Sequence, residues 1–267
     1  MTELLVQQLG ASEQRVCLDA ILHLVRKPAV TLAPAALDAL VGCLESKRKL
    51  VQRRAASALA QIAAHDPKVV PALYRALESG TVRMRWGTAY SLGLIEGALD
   101  LRVFPALLEA LSNSDGDVRW AAAELVVRLG RKYPLEVRRG LLGLAAGQSA
   151  DGCKMALYCL RDLKFADEEV CAEAGRACLA ATNHVRLAAI SLLAHLADGS
   201  EQSADILLRC LEEDRHEGVR RAAASALGRL KRSSPRVLEA LHRAAQNRND
   251  SSLSRAAQQA LARLERI

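Results

Sequence analysis

The sequence repeats one pattern at an interval of 33 or 34 residues. The clearest copies begin at Val51, Val118, Val185 and Val219, and weaker copies begin at Glu13, Met84, Gly152 and Leu253. The first spacing is 38 residues, and the six that follow are 33, 34, 34, 33, 34 and 34. A repeat this regular predicts a chain built from one stacked unit, because each unit can bury its apolar face only against a neighbour.

Each copy has the hydrophobic period of a helix. Apolar or small residues recur at offsets 0, 4, 5, 7, 8 and 11 from the start of the copy, as expected for one face of an α-helix. A second amphipathic segment lies between copies, for example at residues 67–77, 101–111 and 204–211. Pro67 and Pro134 stand where the first turn of a helix tolerates a missing N–H. The pattern therefore predicts eight pairs of helices.

The composition fits thin helical layers and excludes several other classes. Of 267 residues, 51% are apolar and only 3% are aromatic, so the core must consist mainly of Ala and Leu in closely packed helices. The apolar content argues against disorder. Charges interrupt every apolar stretch before it could span a bilayer. Because the N-terminus also lacks the plan of a signal peptide, a soluble, cytoplasmic protein without a membrane segment is predicted.

The strongest copies resemble a known repeat family. Their pattern Val-Arg-x-x-Ala-Ala-x-Ala-Leu-Gly, preceded by an Asp-rich turn such as residues 112–117, is similar to HEAT repeats, and most similar to the short type found in bilin lyases. The resemblance implies an all-α fold, a right-handed α-solenoid of about eight HEAT-like helix pairs. It also implies one domain over residues 1–267 and a monomer. The second helices would begin near residues 13, 51, 84, 118, 152, 185, 219 and 253. The fifth copy departs from the pattern, with Cys153 where Arg is expected.

The resemblance also implies a binding surface. In HEAT-like proteins the second helices line a concave groove, which places offsets 2, 3, 6, 9 and 10 there. Four of the six Trp and Tyr residues fall on such offsets, and large rigid aromatics suit recognition. The predicted partner-binding groove consists of Trp86, Tyr90, Trp120, Glu124, Arg128, Lys154, Tyr158 and Arg161, with Arg128, Lys154 and Arg161 contacting acidic groups. The alternative is that Trp86 and Trp120 are wedges packed between repeats.

Basic charge is concentrated near the C-terminus. Residues 215–267 hold twelve Lys or Arg and four Asp or Glu, a net charge of +8, whereas the whole chain carries +7. The predicted basic patch consists of Arg220, Arg221, Arg229, Arg255 and Arg263. Such a patch attracts phosphate backbones or acidic proteins, although Arg also simply covers helix faces in Ala-rich proteins.

The sequence favours a non-enzymatic interaction scaffold that binds a protein or peptide partner in its groove. No catalytic residue, metal or cofactor is assigned, since phosphate-binding loops, nucleophile elbows and Cys-x-x-Cys pairs are absent. His216-Glu217 is a single His-Glu pair, whereas the HEAT-like di-iron hydroxylase uses several. Two alternatives stay open. Nucleic-acid binding, including a DNA-glycosylase-like site at Trp120, Glu124, Arg128 and Arg161, would use the basic repeats. A bilin-lyase-like protein would handle a chromophore.

Overall fold

The computed structural model describes residues 2–26, 31–196, 201–230 and 234–265. Over these residues the chain is helical, with sixteen α-helices and no strand. The helices are α1 Thr2–Leu9, α2 Gln14–Val25, α3 Pro34–Gly42, α4 Lys49–Ala63, α5 Val69–Ser79, α6 Val82–Leu94, α7 Phe104–Leu111, α8 Gly116–Lys132, α9 Pro134–Ala145, α10 Ala150–Asp162, α11 Glu168–Ala177, α12 Asn183–Leu196, α13 Glu201–Glu213, α14 Glu217–Leu227, α15 Pro235–Ala245 and α16 Ser251–Leu264. In chain order they form eight successive pairs, which confirms the predicted all-α class.

The chain divides into two compact units. Unit 1 comprises Met1–Ala110 and Glu124–Leu129, and unit 2 comprises Leu111–Ala123 and Gly130–Ile267. Helix α8 contributes residues to both units. In unit 1 the second helices α2, α4 and α6 pack side by side, and the first helices α1, α3 and α5 form the other layer. In unit 2 the second helices α10, α12, α14 and α16 and the first helices α9, α11, α13 and α15 repeat this arrangement.

Helix starts follow from side chains that satisfy free N–H groups in the first turn. The Asp250 carboxylate accepts a hydrogen bond from the Leu253 amide at 2.8 Å, and Ser149 does the same for Gly152 at 3.1 Å. Pro134 occupies the first turn of α9, as predicted. Pro67 lies just before α5, which begins at Val69. The second helices begin within two residues of their predicted starts, and α10 and α16 do so with a side-chain cap.

Small residues at the predicted seam positions let the second helices approach closely. Ala55, Ala56 and Leu59, at offsets 4, 5 and 8 of their copy, are fully buried. A side chain at Gly228 would place its Cβ only 2.5 Å from the Cα atom of Ala260 in α16. The interfaces therefore depend on close packing of small groups, where one added methyl group would force the helices apart.

The residue at offset 1 joins one repeat to the next. Arg119, Arg186 and Arg220 each donate to two backbone carbonyls of the turn before their own helix, at distances between 2.6 and 3.3 Å. Each also forms an ion pair with an Asp near the start of the following second helix. These pairs are Arg119–Asp151 at 3.2 Å, Arg186–Asp214 at 2.7 Å and Arg220–Asp250 at 3.4 Å. We call this set the arginine ladder.

The ladder has two consequences. Burial would raise the pKa of Asp214, but the hydrogen bonds from Arg186 and from the His216 amide outweigh it, so the pKa is lowered. Arg220 was expected to belong to an open basic patch, and this expectation is corrected. Its guanidinium is committed to Asp250 and to the turn carbonyls, because a charged group in a half-buried position needs partners.

None of the helices in the described ranges is long and apolar enough to cross a membrane.

Candidate functional site

The best-formed site among the described residues is a row of stacked side chains in unit 2. Trp120, near the start of α8, stacks on Tyr158 of α10 with ring centroids 5.7 Å apart and planes inclined by 15°. The Arg161 guanidinium lies over the Tyr158 ring, 4.9 Å from its centroid. Trp120 is 57% exposed even though one face is stacked. We call these three residues the aromatic row.

The aromatic row is held by contacts on both sides. Arg119, the neighbour of Trp120, binds the carbonyls of Asn113 and Ser114 and so fixes the first turn of α8. At the other end, Nη1 of Arg161 donates to Oγ of Ser191 in α12 at 2.8 Å. A cation over an aromatic face adds a further attraction. The row therefore spans two second helices, α8 and α10, and Arg161 ties it to a third, α12.

The predicted aromatic pair on α6, Trp86 and Tyr90, is more buried than the aromatic row. Trp86 lies 5.5 Å from Tyr90, one turn later on α6, with the ring planes inclined by 37°. Trp86 is only 8% exposed, so the expectation that it offers open surface is corrected. The cause is local. A Cβ on the adjacent Gly87 would lie 2.6 Å from the carbonyl oxygen of Leu44, so α6 packs against that turn closely enough to bury residues 86–89. Tyr90 is half-buried.

The predicted cations of the groove already have partners. Nζ of Lys154 lies 2.8 Å from the Asp151 carboxylate, and this hydrogen bond, together with Arg119, lowers the pKa of Asp151 against the effect of burial. Arg161 pairs with Asp162 at 2.8 Å. In unit 1, Arg128 is exposed and donates to the Gly93 carbonyl at 2.7 Å, and Glu124 is exposed. These residues are therefore less free to contact an acidic partner than the sequence suggested.

A cleft of about 440 Å³ lies on the second helices at the other end of unit 2. Arg221 of α14 and Arg255 of α16 line it together with Ser225, Ser252 and Gln259. Both arginines are exposed, and neither has an acidic partner among the described residues. Arg229 and Arg263 are also exposed but do not line this cleft. The predicted basic patch therefore includes two arginines that share a cavity, which the sequence pattern alone did not reveal.

The cysteines are mostly core residues, six of the seven being buried. Cys17 and Cys159 are buried, and burial raises the pKa of the Cys159 thiol to about 12. Cys178 and Cys210 share a hydrogen bond, which raises the pKa of Cys178 and lowers that of Cys210. Both line a cavity of about 480 Å³ in unit 2. Within the described ranges, no cluster of three or more His, Cys, Asp or Glu side chains could hold a metal ion.

Comparisons with solved structures agree on the fold. An engineered protein is 20% identical, with a TM-score of 0.52 over 99% of this chain and 79% of its own. The karyopherin Kap121p, solved with the extreme C-terminus of the protein phosphatase Cdc14p, is 15% identical with a TM-score of 0.66. This match covers 98% of the present chain but only 33% of Kap121p. Kap95 in its complex with Nup1 is 13% identical, with a TM-score of 0.63 over 98% of this chain and 42% of its own.

Family assignment comes from the sequence match. A search of curated proteins finds no significant match. The family model for HEAT repeats matches residues 37–127 and 176–262, which is more than half of the chain. This match does not distinguish the bilin-lyase type of repeat, which stays a prediction. With the eight helix pairs and the solved solenoids of the same fold, it shows that the chain belongs to the HEAT-repeat family.

Proposed function

We propose that this protein is a non-enzymatic interaction scaffold that binds a protein or peptide partner on the second-helix face of unit 2, centred on Trp120. The observation that carries the proposal is the 57% exposure of a Trp side chain that is at the same time stacked on Tyr158. Trp120 is not among the buried core residues, and its ring presents a large apolar area to solvent. Such residues are the most enriched type at the energetic centres of protein interfaces.

The arrangement lowers the cost of binding. A partner that contacts Trp120 has little side-chain freedom to freeze, because the ring is held by Tyr158, which in turn lies under Arg161. Kap121p and Kap95, which share the fold, were solved bound to the extreme C-terminus of Cdc14p and to Nup1. A long row of second helices suits this kind of partner, since each repeat adds one more contact position.

The test is a comparison of two exposed side chains. Trp120→Ala removes the proposed anchor, and Leu135→Ala removes a side chain that is 75% exposed at the start of α9, in the first-helix layer. Both variants and the wild type would capture partners from a cell lysate, with and without nuclease treatment. Each captured protein would then be purified and titrated against the three chains by calorimetry.

We expect Trp120→Ala to weaken the binding of a purified partner by about thirtyfold or more, since central anchors contribute about 2 kcal/mol or more. Leu135→Ala should bind as the wild type does. Equal affinity for all three chains would refute the proposal. Loss of every captured molecule on nuclease treatment would instead support the nucleic-acid alternative.

A further inference from the structure

One face of unit 2 changes in chemistry from one end to the other. Offset 2 of successive second helices, from α8 to α16, is occupied by Trp120, Lys154, Leu187, Arg221 and Arg255. Helices α10, α12, α14 and α16 pack side by side in that order, and the Trp120–Tyr158 stack joins α8 to α10. The face therefore has an aromatic end and a cationic end, with Lys154 and Leu187 between them.

The cationic end is concave because short side chains separate two long ones. Ala222 and Ala256 line the cleft at offset 3, beside Arg221 and Arg255 at offset 2. Ser225 and Gln259, at offset 6, bring a hydroxyl and an amide to the same cavity. Among the described residues, no carboxylate lines it. Two guanidinium groups surrounded by neutral hydrogen-bonding groups are suited to bind carboxylates.

Three other arginines of the C-terminal repeats are neutralised by ion pairs. Arg220 pairs with Asp250. On the first helix α15, Arg236 pairs with Asp205 at 2.9 Å and Arg243 pairs with Glu212 at 2.5 Å. Among the described residues, the cleft beside Arg221 and Arg255 is therefore lined by two arginines and no acidic side chain, whereas Glu213 and Asp214 lie among the arginines that line the 480 Å³ cavity.

We propose that this cleft binds acidic side chains of the same peptide whose apolar side chain docks on the aromatic row. The inference rests on the proposed function and specifies the partner, which is an extended segment with an aromatic or large apolar residue and an acidic run. Neighbouring helix axes lie about 8–10 Å apart, so two to three helix steps separate the row from Arg221 by roughly 16–30 Å. An extended chain covers this distance in about five to nine residues.

The intervening positions favour a peptide over a nucleic acid. A phosphate backbone carries its charges at short, regular intervals and is best bound by a continuous series of cations. Between the two ends, Lys154 is committed to Asp151, Arg161 is committed to Asp162, and Leu187 is apolar. A peptide that carries its negative charge at one end and an apolar side chain at the other matches this change along the face.

The experiment uses the full chain and a set of fluorescein-labelled peptides. Each peptide carries one Phe and a run of three Glu, separated by one to twelve Gly-Ser residues, in both orders. Matched peptides carry Gln instead of Glu, and a single-stranded DNA oligonucleotide serves as the polyanion probe. Affinities would be measured by fluorescence anisotropy for the wild type, Trp120→Ala, and two double variants. These are Arg221→Gln with Arg255→Gln, and the charge-matched control Arg236→Gln with Arg243→Gln.

We expect the tightest binding at spacings of about five to nine residues, with the Gln peptides weaker. The Arg221/Arg255 variant should lose about tenfold to a hundredfold in affinity for the Glu peptides, because hydrogen bonds to charged groups are lost. The Arg236/Arg243 control should lose less than threefold, since its arginines lie in exposed ion pairs on the other layer.

Three outcomes would overturn the inference. Equal losses of peptide affinity in the two double variants would mean that net charge alone attracts the peptides. Tighter, Arg221-dependent binding of the oligonucleotide would assign the cleft to nucleic acid. Binding that depends on Trp120 but on neither Glu nor the cleft arginines would remove the acidic specificity while leaving the proposed function intact. If Trp120→Ala also had no effect on a purified partner, the proposed function would fail as well.

Discussion

Trp86 in unit 1 and Trp120 in unit 2 occupy the same repeat position, offset 2 of consecutive copies, but differ sevenfold in exposure, 8% against 57%. The residue one turn later differs as well. Tyr90 follows Trp86 and lies against it, whereas the charged Glu124 follows Trp120 and the stacking partner comes from the next second helix instead. Equivalent positions in a repeat protein therefore share backbone placement but not environment, so one Trp can serve the core and the other a surface.

Among the substitutions that test this comparison, Trp86→Ala should change the free energy of unfolding most. Trp86→Ala should destabilise the chain by about 3–5 kcal/mol, because it removes a large buried side chain and leaves a cavity. Trp120→Ala should cost only about 0.5–1.5 kcal/mol, because it removes an exposed ring and one aromatic stack. Urea unfolding followed by circular dichroism would measure both. Equal costs would mean that the two rings make equal contributions to packing and would invalidate the contrast.

A smaller effect concerns a buried carboxylate of unit 1. Asp66 is fully buried, and burial alone would raise its pKa, but hydrogen bonds from the Leu32 amide at 2.9 Å and the Lys68 amide at 3.1 Å outweigh this and lower it. A lowered pKa means that its stabilising contribution is complete above the unfolded-state value of about 3.9 and is lost as pH falls through the folded-state value.

Asp66→Asn should therefore cost about 1–3 kcal/mol at pH 7 and flatten the loss of stability below about pH 4. Unfolding in a Trp120→Phe background, followed through Trp86 fluorescence, would assign the change to unit 1. Asp167 of unit 2, whose pKa the Arg138 guanidinium lowers to about 2, is 43% exposed in its side chain. Asp167→Asn should therefore cost less than Asp66→Asn, and the reverse order would contradict this ranking.

The stack of Trp120 on Tyr158 in unit 2 should contribute less to the free energy of unfolding than Asp66 does. Tyr158→Leu keeps an apolar side chain but removes the ring between Trp120 and Arg161. We expect a loss of about 0.5–1.5 kcal/mol, typical of an aromatic pair. The matched substitution Tyr90→Leu in unit 1 removes the ring beside Trp86. Urea titrations of both variants would compare the two pairs, and no change for Tyr158→Leu would show that the stack is only a passive contact.

Replacing each Trp by Phe is the smallest change, and it tests only how exposed the remaining Trp ring is to solvent. Trp86→Phe and Trp120→Phe each leave one Trp, and acrylamide should quench the remaining fluorescence much more strongly in Trp86→Phe, where Trp120 is the reporter. Stability should change little for Trp120→Phe, since surface substitutions usually stay within about 0.5 kcal/mol. Similar quenching of the two variants would contradict the difference in burial between the two rings.

The repeat predicted the fold well because it records local requirements. Small residues at offsets 4 and 5, turn residues before each copy and a helical period are all local, and the second helices begin within two residues of their predicted positions. Trp86 was harder to place, since its burial depends on how closely Gly87 lets α6 approach Leu44. Arg220 was assigned to a surface patch because the ion pair with Asp250 joins residues 30 positions apart. The Asp-rich turns before Val-Arg were the available signal for the ladder.

The missing arginine at Cys153 has a consequence for motion. In the neighbouring repeats a ladder side chain holds the turn carbonyls before the second helix, but the turn before α10 has no such group at offset 1, and residues 146–149 are exposed. Its amides should therefore exchange with deuterium sooner than those of the turns held by Arg119 and Arg186, because a small local opening suffices to expose them. Local opening of unit 2 would then begin at this turn, which lies about two and a half helical turns before Tyr158 of α10.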